Sequence, residues 1–121
     1  MDIREIMGLQ NFVVLGNTVT PDRYAAQIKN GLTEHGYTAA GVGRELASIN
    51  DVPFDIDVVD LCINAKEGLR LLKENTKPFR QIVIQPGASD DALTAWLNEQ
   101  HIPYIDGCLL TGLSLYAKDK N

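Results

Sequence analysis

Three basic side chains sit where a helix start normally disfavours them. Arg23 and Lys66 fall in the predicted first turns of two helices, and Arg44 follows a predicted strand. Helix N-termini carry partial positive charge, so a cation there costs roughly 0.3–1 kcal/mol. The arrangement makes sense if an anion belongs among them, since the free backbone amides already favour one. The plain alternative is surface pairing of Arg23 with Asp22 and of Lys66 with Glu67. Anion binding is the stronger of the two readings.

The segment NFVVLGNTVTPDRYAAQI, residues 11–28, narrows the choice of anion. An apolar run, one glycine, a polar turn and a proline-opened helix are how a nucleotide-binding βα unit begins. The dinucleotide fingerprint wants glycine at three positions, which here read Gly16, Thr18 and Pro21. An NAD protein would also place Asp or Glu after the second strand, to hold a ribose hydroxyl. This chain offers Gly43-Arg44, followed by Glu45. Arginine suits a phosphorylated ribose, which NADP and coenzyme A (CoA) both carry. The two missing glycines count against NADP, and CoA passes the filter better.

Other chemistry has less to stand on. No G-x-S-x-G elbow is present, and Gly87-Ala88-Ser89 reads as a loop leading into a helix cap. His35 and His101 end predicted helices, where histidine commonly complements the dipole. Cys62 and Cys108 lack C-x-x-C spacing, and with only two histidines no metal-ligand cluster emerges. Cys62, inside the third strand, reads as structural. Cys108 follows the last strand at the ligand edge and keeps a thiol-based enzyme or redox-regulated reading open. Its plainer reading is a small side chain packed beneath the last helix.

The chain has 121 residues, 45% of them hydrophobic, enough for one compact domain over 1–121 without staples. A net charge of −5 argues against an extended nucleic-acid footprint, which needs a basic face. No apolar run approaches the roughly 18 residues that span a bilayer. The opening MDIREIMG has neither a basic leader nor a long apolar stretch, so a cytoplasmic location is the default expectation.

Strand and helix signals alternate along the chain. Strands are predicted over Phe12–Leu15, Tyr37–Val42, Ile56–Ile63, Arg80–Gln85 and Ile102–Ile105. Thr20 is read as an N-cap with Pro21 opening its helix, and Tyr24, Ile28, Leu32 and His35 near one face. Gly36 stops that helix, and Gly31 within it suggests close approach to the sheet. Asn64 and Glu67 resemble a capping box ahead of Leu69, Leu71 and Leu72. Ser89 is read as the cap of a helix anchored by Trp96 and Leu97, a short helix follows Cys108, and the terminal KDKN is expected to fray. The pattern implies a Rossmann-like, doubly wound α/β domain with five parallel strands in the order 3-2-1-4-5. The third strand is then an edge, and Asp60 within it a solvent-facing charge that discourages edge pairing. Ligands in such sheets bind beyond the strands' carboxyl ends, here expected between the first and fourth strands.

Taken in order, VVLGNTVTPDRYA, LTEHGYTAAGVGRE, DIDVVDLCIN, IVIQPGA and IPYIDGCLL resemble the small stand-alone CoA-binding domain family, itself similar to the nucleotide-binding domain of the succinyl-CoA synthetase α subunit. The resemblance runs over about residues 10–113. It implies a Rossmann-like sheet that binds CoA or acyl-CoA by the nucleotide end. By position, Gly16, Asn17 and Thr18 would meet the phosphates with Arg23 nearby. Gly43 and Arg44 would lie by the adenosine, Ile63 and Asn64 would border the groove, and Gln85, Pro86 and Gly87 would form its other wall. The first loop departs from the family's frequent Gly-Ala-Ser, and Gly41-Val42-Gly43-Arg44 from its Pro-Val-Asn-Pro-like turn. The related synthetases take their phosphohistidine from another domain, so the expectation is binding without catalysis. A degenerate domain serving protein–protein interaction, as a homodimer or with another protein, is the remaining alternative.

Overall fold

The structure, a computed structural model, describes residues 1–117, so the expected fraying of residues 118–121 lies outside the described residues. Five strands form one sheet: β1 (Asn11–Gly16), β2 (Thr38–Gly43), β3 (Val58–Leu61), β4 (Gln81–Ile84) and β5 (Tyr104–Asp106). Between and around them run α1 (Ile3–Ile6), α2 (Tyr24–Glu34), α3 (Ala65–Glu74), α4 (Asp91–Glu99) and α5 (Leu109–Tyr116), with a 3-10 turn at Ile49–Asp51. No helix among the described residues is long and apolar enough to cross a membrane.

The apolar run of β1 is continuous because both of its faces are covered. Phe12 and Val14 pack with Ile6, Met7, Ile28, Leu32, Leu109 and Leu113 of α1, α2, α5 and their flanks. Val13 and Leu15 point the other way, to Leu71, Leu72, Leu93 and Leu97 of α3 and α4. Three layers result, and the five-stranded parallel α/β class is as the sequence led us to expect.

The strand order is β2-β1-β3-β4-β5, all parallel. The sequence reading of 3-2-1-4-5 put the third strand on an edge, whereas β3 lies between β1 and β4. The cause is the short stretch after β2. It yields only the 3-10 turn and one isolated parallel bridge, from Val42 to Leu46, so Leu46 alone lies outside β2. The next true strand starts afresh beside β1. Asp60 is therefore not a surface charge: its position in β3 faces Val14 on one side and Val83 on the other, and it is fully buried.

Helix boundaries shift for local reasons. Helix α2 begins at Tyr24 rather than after Thr20, because Asn17 Oδ1 accepts from the amides of Val19 and Thr20 at 3.1 Å each and its Nδ2 donates to Thr20 Oγ1 at 3.0 Å. That turn consumes the expected cap, and Arg23 becomes the capping residue without a side-chain bond to the helix. Asp90, not Ser89, caps α4, accepting from Leu93 N at 2.9 Å. Asn64 caps α3 through Glu67 N as expected, but Glu67 turns its carboxylate to Arg70, so the box is half formed. Gly36 closes α2 at φ 84°, with Tyr37 N donating to Leu32 O at 3.0 Å. Gly31 does allow a close approach, to Leu113 of α5 rather than to the sheet. Helix α1, with a full capping box from Asp2 and Glu5, was not foreseen.

Candidate functional site

The carboxyl ends of β1, β2 and β3 open onto a groove of about 590 Å³. With β3 beside β1, the chain reverses direction across the sheet between those two strands, not between β1 and β4. Of the residues named from sequence, Gly16, Asn17, Arg23, Gly43, Arg44 and Ile63 line this groove. Asn64, Gln85, Pro86 and Gly87 instead border a shallower hollow of about 230 Å³ across Cys62 and Ile63. Thr18 lines neither, being buried behind the first loop.

Two of the glycines do structural work at the groove floor. A Cβ at Gly16, whose φ is +153°, would overlap the Cys62 carbonyl. One at Gly43, with φ +126°, would stand 3.1 Å from the Gly16 carbonyl oxygen. The ends of β1, β2 and β3 thus pack backbone to backbone, and glycine permits the packing before any ligand is considered.

Both signs of charge line the groove, Asp22 and Glu67 beside Arg23, Arg44 and Arg70. Glu45, a concern beside Arg44, is held away by Lys29 at 2.7 and 2.9 Å and by the Thr18 hydroxyl at 2.6 Å. Those bonds, Lys29's first, outweigh partial burial and hold the Glu45 carboxyl below the usual range. Arg70, absent from the sequence reading, lines the groove in place of Lys66 and is bonded to Glu67 and Glu74. It stands four positions beyond Lys66, one turn further than helix-start reasoning reached. Arg23 and Arg44 have no ion pair among the described residues, and the Arg23–Asp22 and Lys66–Glu67 pairings of the plain alternative are not made there. The uncapped first turn of α2, at Arg23, Tyr24 and Ala25, forms part of the same wall. Tyr24, expected on the buried face, is 62% exposed and projects at the groove's inner end.

Beyond Tyr24 lies a smaller cavity of about 170 Å³, lined also by Cys62, Gln85, Pro86 and Cys108. Gln85 is buried, and its Oε1 accepts from Leu109 N at 2.9 Å, fastening the end of β4 to the start of α5. Cys108 caps α5 and is partly exposed, rather than packed beneath the helix. Cys62, read as structural, lies just past β3 and borders the groove and both smaller hollows.

A comparison with curated proteins gave no match. Among solved structures, the chain is similar to Prb, a protein described as redesigned for binding, at 22% identity and a TM-score of 0.84 over 99% of this chain and 94% of the other. It is also similar to a hypothetical protein of Pyrococcus horikoshii OT3 (23% identity, TM-score 0.82, 95% and 89% covered). A conserved hypothetical protein of Pyrococcus furiosus is alike at 24% identity and TM-score 0.75, over 85% and 98%. At such identities the likeness speaks to the fold. The sequence itself matches a described family over residues 10–114, and the chain belongs to that family, the CoA binding domain.

Proposed function

We propose that the protein binds CoA or an acyl-CoA through the phosphorylated adenosine and pyrophosphate, without catalysis of its own. The observation that carries this reading is Arg23 and Arg44, both without ion pairs among the described residues, lining a groove that includes the uncapped start of α2. In a chain of net charge −5, two such guanidinium groups around free helix amides favour a polyanionic ligand. The groove's volume of about 590 Å³ falls within the usual range of small-ligand sites. In this reading the pyrophosphate lies over Asn17 and the α2 amides, and Arg44 meets the ribose phosphate. Ile63 and Ala47 offer apolar surface to the adenine, and the pantetheine arm runs past Tyr24.

Calorimetry with CoA and dephospho-CoA tests the assignment. A charge-assisted bond is worth about 1.5–3 kcal/mol, so Arg44→Ala should weaken CoA binding at least tenfold while leaving dephospho-CoA almost unaffected. Arg23→Ala should weaken both ligands alike. Equal loss for the two ligands in Arg44→Ala would move the ribose phosphate elsewhere, and unchanged affinity in both variants would remove this groove as the site.

A further inference from the structure

The cavity beyond Tyr24 brings together both cysteines of the chain, from two different strand ends. Cys62 is fixed by its amide, which donates to Leu15 O at 2.9 Å and extends the β3 ladder. Cys108 begins α5. Their environments are opposite. Burial, then the charges of Asp60 and Cys108, push the Cys62 thiol up to about 11. Partial burial raises Cys108 too, but hydrogen bonding with the Thr111 and Leu110 backbone and with the Gln85 and Thr111 side chains outweighs it, and the net direction is down. The thiolate is the nucleophile in disulfide exchange, so Cys108 is the reactive member of the pair.

A buried carboxyl lies on the same strand, behind the lining of the cavity. Asp60, two residues before Cys62 on the same face of its strand, is fully buried, and neither carboxylate oxygen has a hydrogen-bond partner among the described residues. A buried polar group without partners is uncommon in a strand interior and needs a reason. Burial above all, with the nearby charge of Cys108, favours the protonated form.

We propose that Cys108 is a thiol-exchange site, which captures the pantetheine sulfur of a ligand bound in the groove as a mixed disulfide. The proposal rests on the CoA reading. The cavity shares Tyr24 and Cys62 with the groove, so an arm leaving the nucleotide past Tyr24 comes to Cys108. The substrate is a disulfide with CoA as one half. Cys108 Sγ, as thiolate, attacks the CoA-side sulfur. A Cys108–CoA disulfide bond forms as the original S–S bond breaks, and the other thiol departs with the bonding electrons and takes a proton from water. The disulfide is the only oxidant consumed, and Cys62 stays a thiol.

The test is reaction of the reduced protein with CoA disulfide and, in parallel, with pantethine, which has the same arms but no nucleotide. Intact-mass measurement and peptide mapping follow the product. The expected result is one CoA per chain on the Cys108 peptide, released by reductant and absent from Cys108→Ser and Cys108→Ala variants that retain the wild-type circular dichroism. Groove binding raises the arm's effective concentration, so CoA disulfide should react about tenfold faster than pantethine or more. An adduct on Cys62, undiminished labelling of the Cys108 variants, or no adduct would overturn the proposal. Equal rates with the two disulfides would overturn delivery by the groove. Calorimetry with reduced CoA on the wild-type protein separates the two readings: binding without an adduct sinks only the exchange site, whereas absence of both sinks the CoA assignment as well.

Discussion

Two ends of one sheet edge are built on opposite principles. At the β1–β2 end the groove is wide, and arginines stand around an uncapped helix start. At the β3–β5 end the cavity is less than a third as large, with two thiols and a buried glutamine. Helix α2 starts at the groove end without a side-chain cap, whereas the first amide of α5 donates to Gln85 Oε1, and α3 and α4 are capped by Asn64 and Asp90. Fixed positive charge suits phosphates and stays close to water, where its desolvation cost is small. Sulfur chemistry benefits from a tight, drier setting, where neighbouring hydrogen bonds decide which thiol ionises. One elongated ligand with a polyanionic end and a sulfur end would satisfy both.

The seam between the two regions is the contact of Gly16 with the Cys62 carbonyl, and the largest effect is expected there. Gly16→Ala combines a backbone strain of about 1–3 kcal/mol with overlap against backbone that cannot move aside. We expect a loss of about 3 kcal/mol or more in urea unfolding. Gly87→Ala is the control. Its φ is also positive, +86°, but its Cβ would meet nothing within 4 Å, so the left-handed penalty of about 1–2 kcal/mol stands alone. Equal losses at the two positions would mean that conformation rather than close packing fixes the seam. Sequence reasoning found both glycines and assigned them to ligand approach, because a tight turn and a crowded strand end leave the same one-letter trace.

Asp60 shows where local pattern runs out. A single carboxylate inside the apolar run Val58–Cys62 reads equally as an edge strand or as a central one, and only the partner strands decide. Those partners are distant in sequence, and the decision turned on how little structure the residues after β2 could form. By contrast, the groove residues Gly16, Asn17, Arg23, Gly43, Arg44 and Ile63 were legible, since strand ends in this fold converge on one edge whatever the order. Tyr24 and Arg70 were not. Tyr24 has the apolar Ile28 and Leu32 four and eight positions on and still faces outward, because α2 starts later than Thr20 and Pro21 suggest.

The Asp60 carboxyl separates the cavity end from the groove end in its response to pH. Asp60 binds its proton more tightly folded than unfolded, burial being the main cause. Above the ordinary value of 3.8 the unfolded chain has released this proton and the folded chain has not, so the contribution is intact at lower pH and is lost as pH rises through the folded value. Asp60→Asn should remove the decline that begins above about pH 4, as read from urea midpoints. Asp60→Val, which fills the position with an apolar strand former, should raise stability at pH 7 by about 1–3 kcal/mol. A variant no more stable than wild type would show that the carboxyl has a partner in solution, and the cavity end would then be as polar as the groove.

The smallest effect is expected behind the groove, at the Lys29–Glu45 pair. Both side chains are partly exposed, 23% and 35%, so removing Lys29 should cost well under about 1 kcal/mol of stability. The electrostatic consequence is more informative than the stability. Without Lys29, Glu45 keeps only the Thr18 hydroxyl and becomes an uncompensated negative charge next to Arg44 in sequence. Lys29→Ala should then weaken CoA binding by about two- to fivefold at low salt, through loss of positive potential rather than loss of a contact. At about 0.5 M salt the difference should vanish, since charges more than a few ångströms apart are then screened. A loss that survives high salt would make Lys29 a direct ligand contact and extend the groove along α2. No loss at any salt would mean that Thr18 alone keeps Glu45 turned away, and that a buried hydroxyl is what protects the charge of the arginine end.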